Sequence, residues 1–331
     1  AQRRLLLIPQ GSGEETMAVF DGSPGNDQYF GTAQADRIEG YDGQDQLRGG
    51  GGNDTIHGGN GPDSLYGDQG DDEIVGGAGD DVVRGGRESD TIFGDGGIDV
   101  LFGDRDNDFL FGGEGDDILL GGPGDDEIVG GAGADYINGG DGIDSVSYAD
   151  SPVGRSGDGV LVDLYFPGFG IDGDAQGDVL IEIEKVIGSP GNDDLRAAYN
   201  DSSDSLFGGS GNDKLVGGGF EHHPADYLDG GPGDDRLQTV GHGTVVGGPG
   251  KDVFDYLGEF YGGEIKDFTK GEDRIGFVFA SDVNEADLDN MLRNSSGNVL
   301  SLSLLGPEFE SFGDLTINVP VSTLDASDFI I

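Results

Sequence analysis

Apolar positions in this chain recur at an interval that suits neither a helix nor a long strand. From Gly22 to Ser147 one apolar side chain returns every nine residues, from Tyr29, Ile38 and Leu47 to Ile137 and Val146, with polar or glycine-rich sequence between. The stretch divides into fourteen consecutive nine-residue units without insertion. Position 1 is glycine in all fourteen and position 4 in eleven; position 6 is aspartate, and position 8 apolar, in every unit. Self-similarity at a short fixed period is the signature of a solenoid. Three residues such as Ile118 to Leu120 predict a short strand, in which alternation sends only the middle side chain inward. One such strand buries nothing alone. Two units therefore make a flattened coil with a turn at each edge, where glycine permits a positive φ. Stacked coils pair their strands in parallel and align position 8 into a thin ladder of Ile, Leu and Val.

Composition makes that ladder look insufficient. The 331 residues include 68 glycines and 66 acidic against 17 basic residues, for a net charge of −49. Low hydrophobicity with high net charge ordinarily reads as disorder, because little apolar burial is available to offset chain entropy. The strict period argues otherwise. The charge repels phosphate and shows no basic stripe, which excludes nucleic acid as a partner and favours cations. No apolar run is long enough to span a bilayer, and "LLLI" at 5–8 is too short for a signal-peptide core. With no cysteine, disulfides and thiolate metal sites are excluded.

The aspartates supply what the core lacks. Stacked turns place position-6 carboxylates and turn carbonyls around a common gap, set by the strand spacing of roughly 4.8 Å. Hard oxygen donors in a flexible cage suit calcium, whereas magnesium demands a stricter octahedron. Alternate units share an edge. Asp27, Asp45, Asp63, Asp81, Asp99, Asp117 and Asp135 fall on one, and Asp36, Asp54, Asp72, Asp90, Asp108, Asp126 and Asp144 on the other. Seven turns on an edge leave six gaps, so about twelve ions are expected, cancelling about half of the charge.

"GGEGDDILL", "GGPGDDEIV" and "GGGGNDTIH" resemble the RTX (repeats-in-toxin) or hemolysin-type nonapeptide G-G-x-G-x-D-x-U-x. The resemblance implies an all-β, right-handed parallel β-roll with calcium between successive turns. It also implies backbone carbonyl ligands from the glycine-rich positions, among them Gly50, Gly52, Gly59, Gly61, Gly77 and Gly79. Gly113, Gly115, Gly122, Gly124, Gly131 and Gly133 are the corresponding positions further on. Position 4 departs from glycine at Gln34, Glu88 and Asp106, all on the second edge, where weaker or altered sites are expected unless the extra carboxylates compensate.

Five segments follow from this reading: 1–21 as an N-terminal cap or linker, 22–147 as the roll, and 148–187 as a β-rich spacer continuing the stack. Residues 188–255 form a second, degenerate repeat block and 256–331 a C-terminal cap. In the second block, units at Asp193, Asp213, Asp235 and Asp252 bracket degenerate ones around Asp204 and Asp226, and a few more ions are expected. The cap reads as strands at "GGEIKDF", "EDRIGFVF", "NVLSLSLL" and "DLTINV" and a short helix at "NEADLDNMLRN". "DVFDY" and "LDASDFII" resemble the C-terminal segment of RTX exoproteins, implying an uncleaved signal for type I secretion machinery. The chain starts without methionine, as a fragment or processed product would.

No HExxH helix, GxSxG elbow or phosphate-binding P-loop is present, so no enzymatic activity is expected. His57 falls at an outward position, and "EHHP" at 221–224 is a weak transition-metal candidate. Outward positions 7 and 9 turn apolar at Val82, Val100, Phe102, Ile118 and Leu120 on one sheet and Phe93, Phe109, Phe111 and Val129 on the other. Such surface marks either a contact for a partner, ligand or second copy, or a face covered by the chain's own terminal segments. The expectation is a secreted, extracellular or cell-surface module that folds on calcium and serves a structural, adhesin or surface-layer role. The alternatives are the tail of a larger extracellular protease, lipase or alginate epimerase, and polysaccharide binding through Tyr148, Tyr165, Phe166 and Phe169.

Overall fold

The computed structural model of the chain describes residues 4–9, 16–153, 157–165, 167–198, 203–218, 225–239, 243–256, 263–277, 291–292, 295, 297–301 and 314–330. It is a parallel β-solenoid whose residues divide into two compact units, Ala1–Ser147 with Phe169–Ile183, and Tyr148–Gly168 with Glu184–Ile331.

In the first unit consecutive repeats alternate between two sheets. Glu73–Ala78, Thr91–Gly96 and Phe109–Glu114 are neighbours on one, and Val82–Arg87, Val100–Asp104 and Ile118–Pro123 on the other. All these pairings are parallel, with Ile74, Ile92 and Leu110 in register on the first sheet and Val83, Leu101 and Leu119 on the second. Position 8 is fully buried from Ile38 to Val146. Tyr29 is only half-buried; it stacks on Phe20 with ring centroids 4.4 Å apart, at the end of the ladder.

The strands are longer than three residues. Thr91–Gly96 runs from position 7 of one unit to position 3 of the next, so position 1 lies within the strand as its second inward residue. Only positions 4 to 6 are left for the turn. Short strands suffice because each backbone group pairs with the coil on either side.

The first parallel strand, Thr16–Asp21, pairs with Arg37–Asp42 on one flank and antiparallel with Arg4–Pro9 on the other. That hairpin caps an edge that would otherwise offer unpaired N–H and C=O groups to another chain.

In the second unit Leu195, Leu215, Leu237, Phe254, Ile275 and Phe329 align on one sheet. Val186, Leu206, Leu228, Val245, Ile265 and Ile317 align on the other. Its coils vary in length, yet the aligned residues stay buried. Here too the sheet ends antiparallel, Asp314–Ile317 against Val299–Ser301. The spacer contributes Val179–Ile181 beside Tyr136–Asn138 in the first unit and Asp158–Asp163 beside Asn192–Arg196 in the second. Of the expected short helix, Met291 and Leu292 are helical and the remainder lies outside the described residues.

The ladder is one side chain wide, so a missing methylene cluster has no second layer to collapse into it. Leu110→Ala is expected to destabilise the calcium-loaded protein by about 2–5 kcal/mol, read as a lower urea midpoint at constant slope.

Candidate metal centres in the turns

Each turn sets position 1 of a unit opposite position 6 of the same unit, both facing inward. The fourteen aspartates from Asp27 to Asp144 are all buried, as are Asp193, Asp213, Asp226, Asp235 and Asp252. A buried carboxylate needs partners, and half of each one has them. The backbone N–H of Asp63 donates to Oδ1 of Asp81 at 2.7 Å, that of Asp81 to Asp99 at 2.8 Å, and that of Asp99 to Asp117 at 2.8 Å. The same bond links Asp54 to Asp72 and Asp108 to Asp126 on the other edge, and Asp213 to Asp235 in the second unit.

The other oxygen is bare. Oδ2 is buried without a hydrogen-bond partner at twelve aspartates of the first unit, every one from Asp45 to Asp144, and at Asp213, Asp235 and Asp252 of the second. The twelve fall six to an edge. The remaining predicted ligands differ: Ser23 donates its N–H and hydroxyl to Asp27 Oδ2, and Thr32 its N–H to Asp36 Oδ2. Ser189 N–H reaches Asp193 Oδ2 at 2.8 Å, and Gly218 N–H serves Asp226.

Position 2 decides between the two states. In all fifteen turns with a bare oxygen the residue there has positive φ: glycine in most, Tyr41, Asp68, Asp95 and Asp104 in the others. A left-handed residue turns its N–H away from the carboxylate and its carbonyl toward the next coil. Where position 2 is Ser23, Thr32, Ser189 or Gly218, φ is not positive and the N–H closes the turn on its own aspartate. Holding four non-glycine residues left-handed costs on the order of 1–3 kcal/mol each, so the surrounding structure must fix them.

Position-1 glycines have a different reason from the expected one. None from Gly40 to Gly139 has positive φ. A Cβ on Gly94 would lie 2.4 Å from Asp99 Oδ2 and 2.5 Å from the Gly112 carbonyl oxygen; on Gly58, 2.4 Å from Asp63 Oδ2 and 2.7 Å from the Gly76 oxygen. Glycine therefore keeps open a space faced by a bare carboxylate oxygen and a carbonyl of the next coil. The glycines expected to supply carbonyls, Gly50, Gly52, Gly59, Gly61, Gly77, Gly79, Gly113, Gly115, Gly122, Gly124, Gly131 and Gly133, do have positive φ. Several project oxygens at the coil above, as Gly59 does at Gly77 and Gly115 at Gly133.

These donors fit a hard cation. They are all oxygen, and no three His, Cys, Asp or Glu side chains converge among the described residues, so carboxylates act alongside backbone carbonyls. A bound calcium ion supplies two positive charges and unsaturated oxygen coordination where the turn has a buried anion and bare lone pairs.

Burial is the largest influence raising these carboxyls; N–H donors lower them and neighbouring carboxylates raise them further. Asp54 and Asp90 are pushed up to about 8, Asp72 and Asp108 to about 7, and Asp63 and Asp99 to about 6. Around the second edge Glu88 accepts from Gly70 N–H, and Asp106 from Glu88 N–H. Their charges add to the crowding at Asp72 and Asp108, while Gln34 lies in a turn that Thr32 already closes.

Other residues went unrecognised in the sequence. Asp178, 43 residues from Asp135, accepts its N–H in the role of a position-6 aspartate. Asp273 does the same in the second unit, accepting the N–H of Asp252, while Asp204, already expected as a degenerate unit, donates its N–H to Asp226 Oδ1. Position 5 carries a second ladder of opposite sense, in which Asn53, Asp71, Asp80, Asn107, Asp116 and Asp125 each accept the position-5 N–H of the following coil. The frequency of Asn and Asp in that column was the available signal.

Among the other candidates, His57 sits half-exposed 3.2 Å from Glu39, and His222, His223 and His242 lie outside the described residues. Val82 and Ile118 are exposed; Val100, Phe102, Leu120, Phe93, Phe109, Phe111 and Val129 are partly exposed. Tyr148 is buried, Tyr165 and Phe169 are exposed, and Phe166 lies outside the described residues.

Fold and turns define a metal-binding β-roll, in which stacked carboxylates and carbonyls face one another across each gap. Residues 21–56, 48–83, 57–92, 84–119, 111–146, 187–220 and 225–239 match the RTX calcium-binding nonapeptide repeat, and the chain belongs to that family. Its repeats bind calcium. No curated protein matches the chain. Similar solved structures include a hyperactive, Ca2+-dependent, beta-helical antifreeze protein from an Antarctic bacterium, at 18% identity and TM-score 0.28 over 75% of this chain and 86% of that one. Another is the extracellular lipase LipA from Serratia marcescens, at 18% identity and TM-score 0.22 over 76% of this chain; the match spans 42% of the lipase. Among the described residues no helix is long and apolar enough to cross a membrane.

Three outcomes are expected. A carboxyl raised in the folded state lets that state hold protons that the unfolded chain, with an ordinary value near 4, has released. The metal-free fold is therefore favoured below about pH 4 and loses stability as pH rises through 6 to 8; circular dichroism in chelator across that range should show β-structure fading toward pH 8. Calcium binding near pH 7 should release protons, measurable with an indicator dye. Gly94→Ala should lower the number of bound ions and the melting temperature, because the added methyl meets backbone and carboxylate oxygen together.

Proposed function

We propose that the chain is a secreted, extracellular structural or interaction module whose folding is switched on by calcium outside the cell. The observation that supports this is the row of buried aspartate oxygens without a hydrogen-bond partner, one in each of fifteen turns, in a protein whose apolar core is a single ladder. A metal-free fold would hold fifteen such oxygens buried without a partner, an arrangement that low dielectric makes costly. Calcium-scarce cytosol then leaves the chain unfolded for export, and calcium outside orders it. Extracellular calcium modules bind at about 10⁻⁴–10⁻³ M, a range suited to that switch. At tenfold its dissociation constant each site contributes about 1.4 kcal/mol.

The geometry supports twelve ions in the first roll and three in the second block, one for each bare Oδ2. Asp27, Asp36, Asp193 and Asp226 close their own turns with backbone donors and order without an ion of their own. The segment from 256 onward acts as cap and secretion segment for type I machinery, on the strength of its resemblance to RTX exoprotein ends.

A calcium titration at pH 8, read by far-ultraviolet circular dichroism and by equilibrium dialysis, tests this. Disorder in chelator, a cooperative gain of β-structure, and about fifteen bound ions per chain are expected. Asp99→Asn should bind fewer ions while Asp27→Asn keeps the full count. A chain that is fully ordered in chelator at pH 8 would refute the reading.

A further inference from the structure

The outer faces of the first roll carry grooves of opposite charge. On one face a trough of about 960 Å³ is lined by Glu39, Asp42, Asp95 and Glu114, in keeping with an acidic protein. On the other, a groove of about 480 Å³ gathers Arg48, Arg84, Arg87 and Arg105, four of only 17 basic residues in the chain. The repeat put them there. Arg48, Tyr66, Arg84 and Phe102 occupy position 9 of successive coils on this sheet, and Arg87 and Arg105 occupy position 3 of two adjacent coils.

The groove is built rather than merely basic. The Arg48 guanidinium lies 5.0 Å from the Tyr66 ring centre, and that of Arg84 lies 4.8 Å from the Phe102 ring centre. Asp68 and Asp104, left-handed at position 2, reach up to hold the same two guanidinium groups. Stacking on one side and a carboxylate on another fix each planar fork, so less side-chain entropy is lost when a ligand arrives. Arg48 and Arg84 each retain donors beyond those their aspartates take. Arg87 and Arg105 are exposed and form no ion pair among the described residues. Two aspartates against four arginines leave the groove with net positive charge on a molecule of −49.

We infer that this groove binds an extended, carboxylate-bearing polysaccharide, with Arg87 and Arg105 pairing to uronate carboxylates and the Arg–aromatic ladder lying against sugar faces. The inference rests on the proposed extracellular role and names its partner class. A groove that crosses successive coils with like residues at fixed phase suits a polymer with its own repeat better than a compact ligand. Strands stacked at about 4.8 Å place like residues of alternate coils about 10 Å apart, close to the length of two extended sugar units. Planar forks match carboxylates in bidentate fashion, while hydroxyl-lined sugar rings present apolar C–H faces to aromatic and guanidinium planes.

The test is isothermal calorimetry of the calcium-loaded full chain against a galacturonate octasaccharide, with a neutral glucan octasaccharide of equal length as control. Binding to the uronate alone is expected, weakening as salt is raised. Arg87→Ala/Arg105→Ala should reduce affinity at least tenfold, while Glu39→Gln/Glu114→Gln on the opposite face leaves it unreduced. Circular dichroism and the bound-ion count should be unchanged in both variants, so failure of the saccharide site is distinguishable from failure of calcium-driven folding. Equal uronate affinity in the arginine double variant overturns the proposal and assigns binding to calcium bridges at the acidic edges. Equal affinity for the neutral glucan overturns it as well. So does sedimentation showing a self-associated protein that the arginine variant dissociates, since a second copy would then fill the groove.

Discussion

One buried aspartate per turn, bonded through one oxygen and bare at the other, is the constraint on which this structure depends. Its Oδ1 receives the N–H of the coil before it, tying consecutive coils together. Its Oδ2 faces a space that the position-1 glycine keeps open. An anion there is unfavourable unless a proton or a cation neutralises it, and burial accordingly raises these carboxyls. Order in the roll is thus linked to what occupies the turns. The apolar ladder sets the register of the coils, and the occupant of each turn adds to or subtracts from the stability of the stack.

Because the constraint repeats, its exceptions are informative. At turns such as Asp27, Asp36 and Asp193, a serine or threonine at position 2 closes the carboxylate without external help. These turns open the first unit and the second repeat block. The antiparallel hairpins at Arg4–Pro9 and Val299–Ser301 address the same boundary at the level of the sheet, by pairing strands that would otherwise template another chain. End turns and end strands have thus each been given a local partner.

A solenoid also frees its outer positions. Positions 7, 9 and 3 serve neither core nor turn carboxylate, so their side chains can be set coil by coil. One face of the first roll is acidic while the other collects arginines over aromatic rings. Even the left-handed position-2 residues serve twice, since Asp68 and Asp104 both shape their turns and hold arginines on the outer face. Function added to such a scaffold needs only substitutions at fixed phase, with no change in the path of the chain.

The nine-residue period by itself determined the parallel coil, the buried position-8 ladder from Ile38 to Val146, and the assignment of alternate aspartates to opposite edges, because each follows from phase alone. The matching RTX repeats carried that reading to calcium. Other features needed the folded chain. Which aspartates keep a bare oxygen depends on the φ of position 2, and Tyr41 or Asp104 there does not announce a left-handed backbone. The reason for the position-1 glycine is the proximity of another coil's carbonyl, which no single unit contains. Asp178 joins the first edge across 43 residues of irregular sequence, beyond the reach of any periodic count. Phase is a local property that a sequence states directly. Contacts between coils are decided only when the chain returns beside itself.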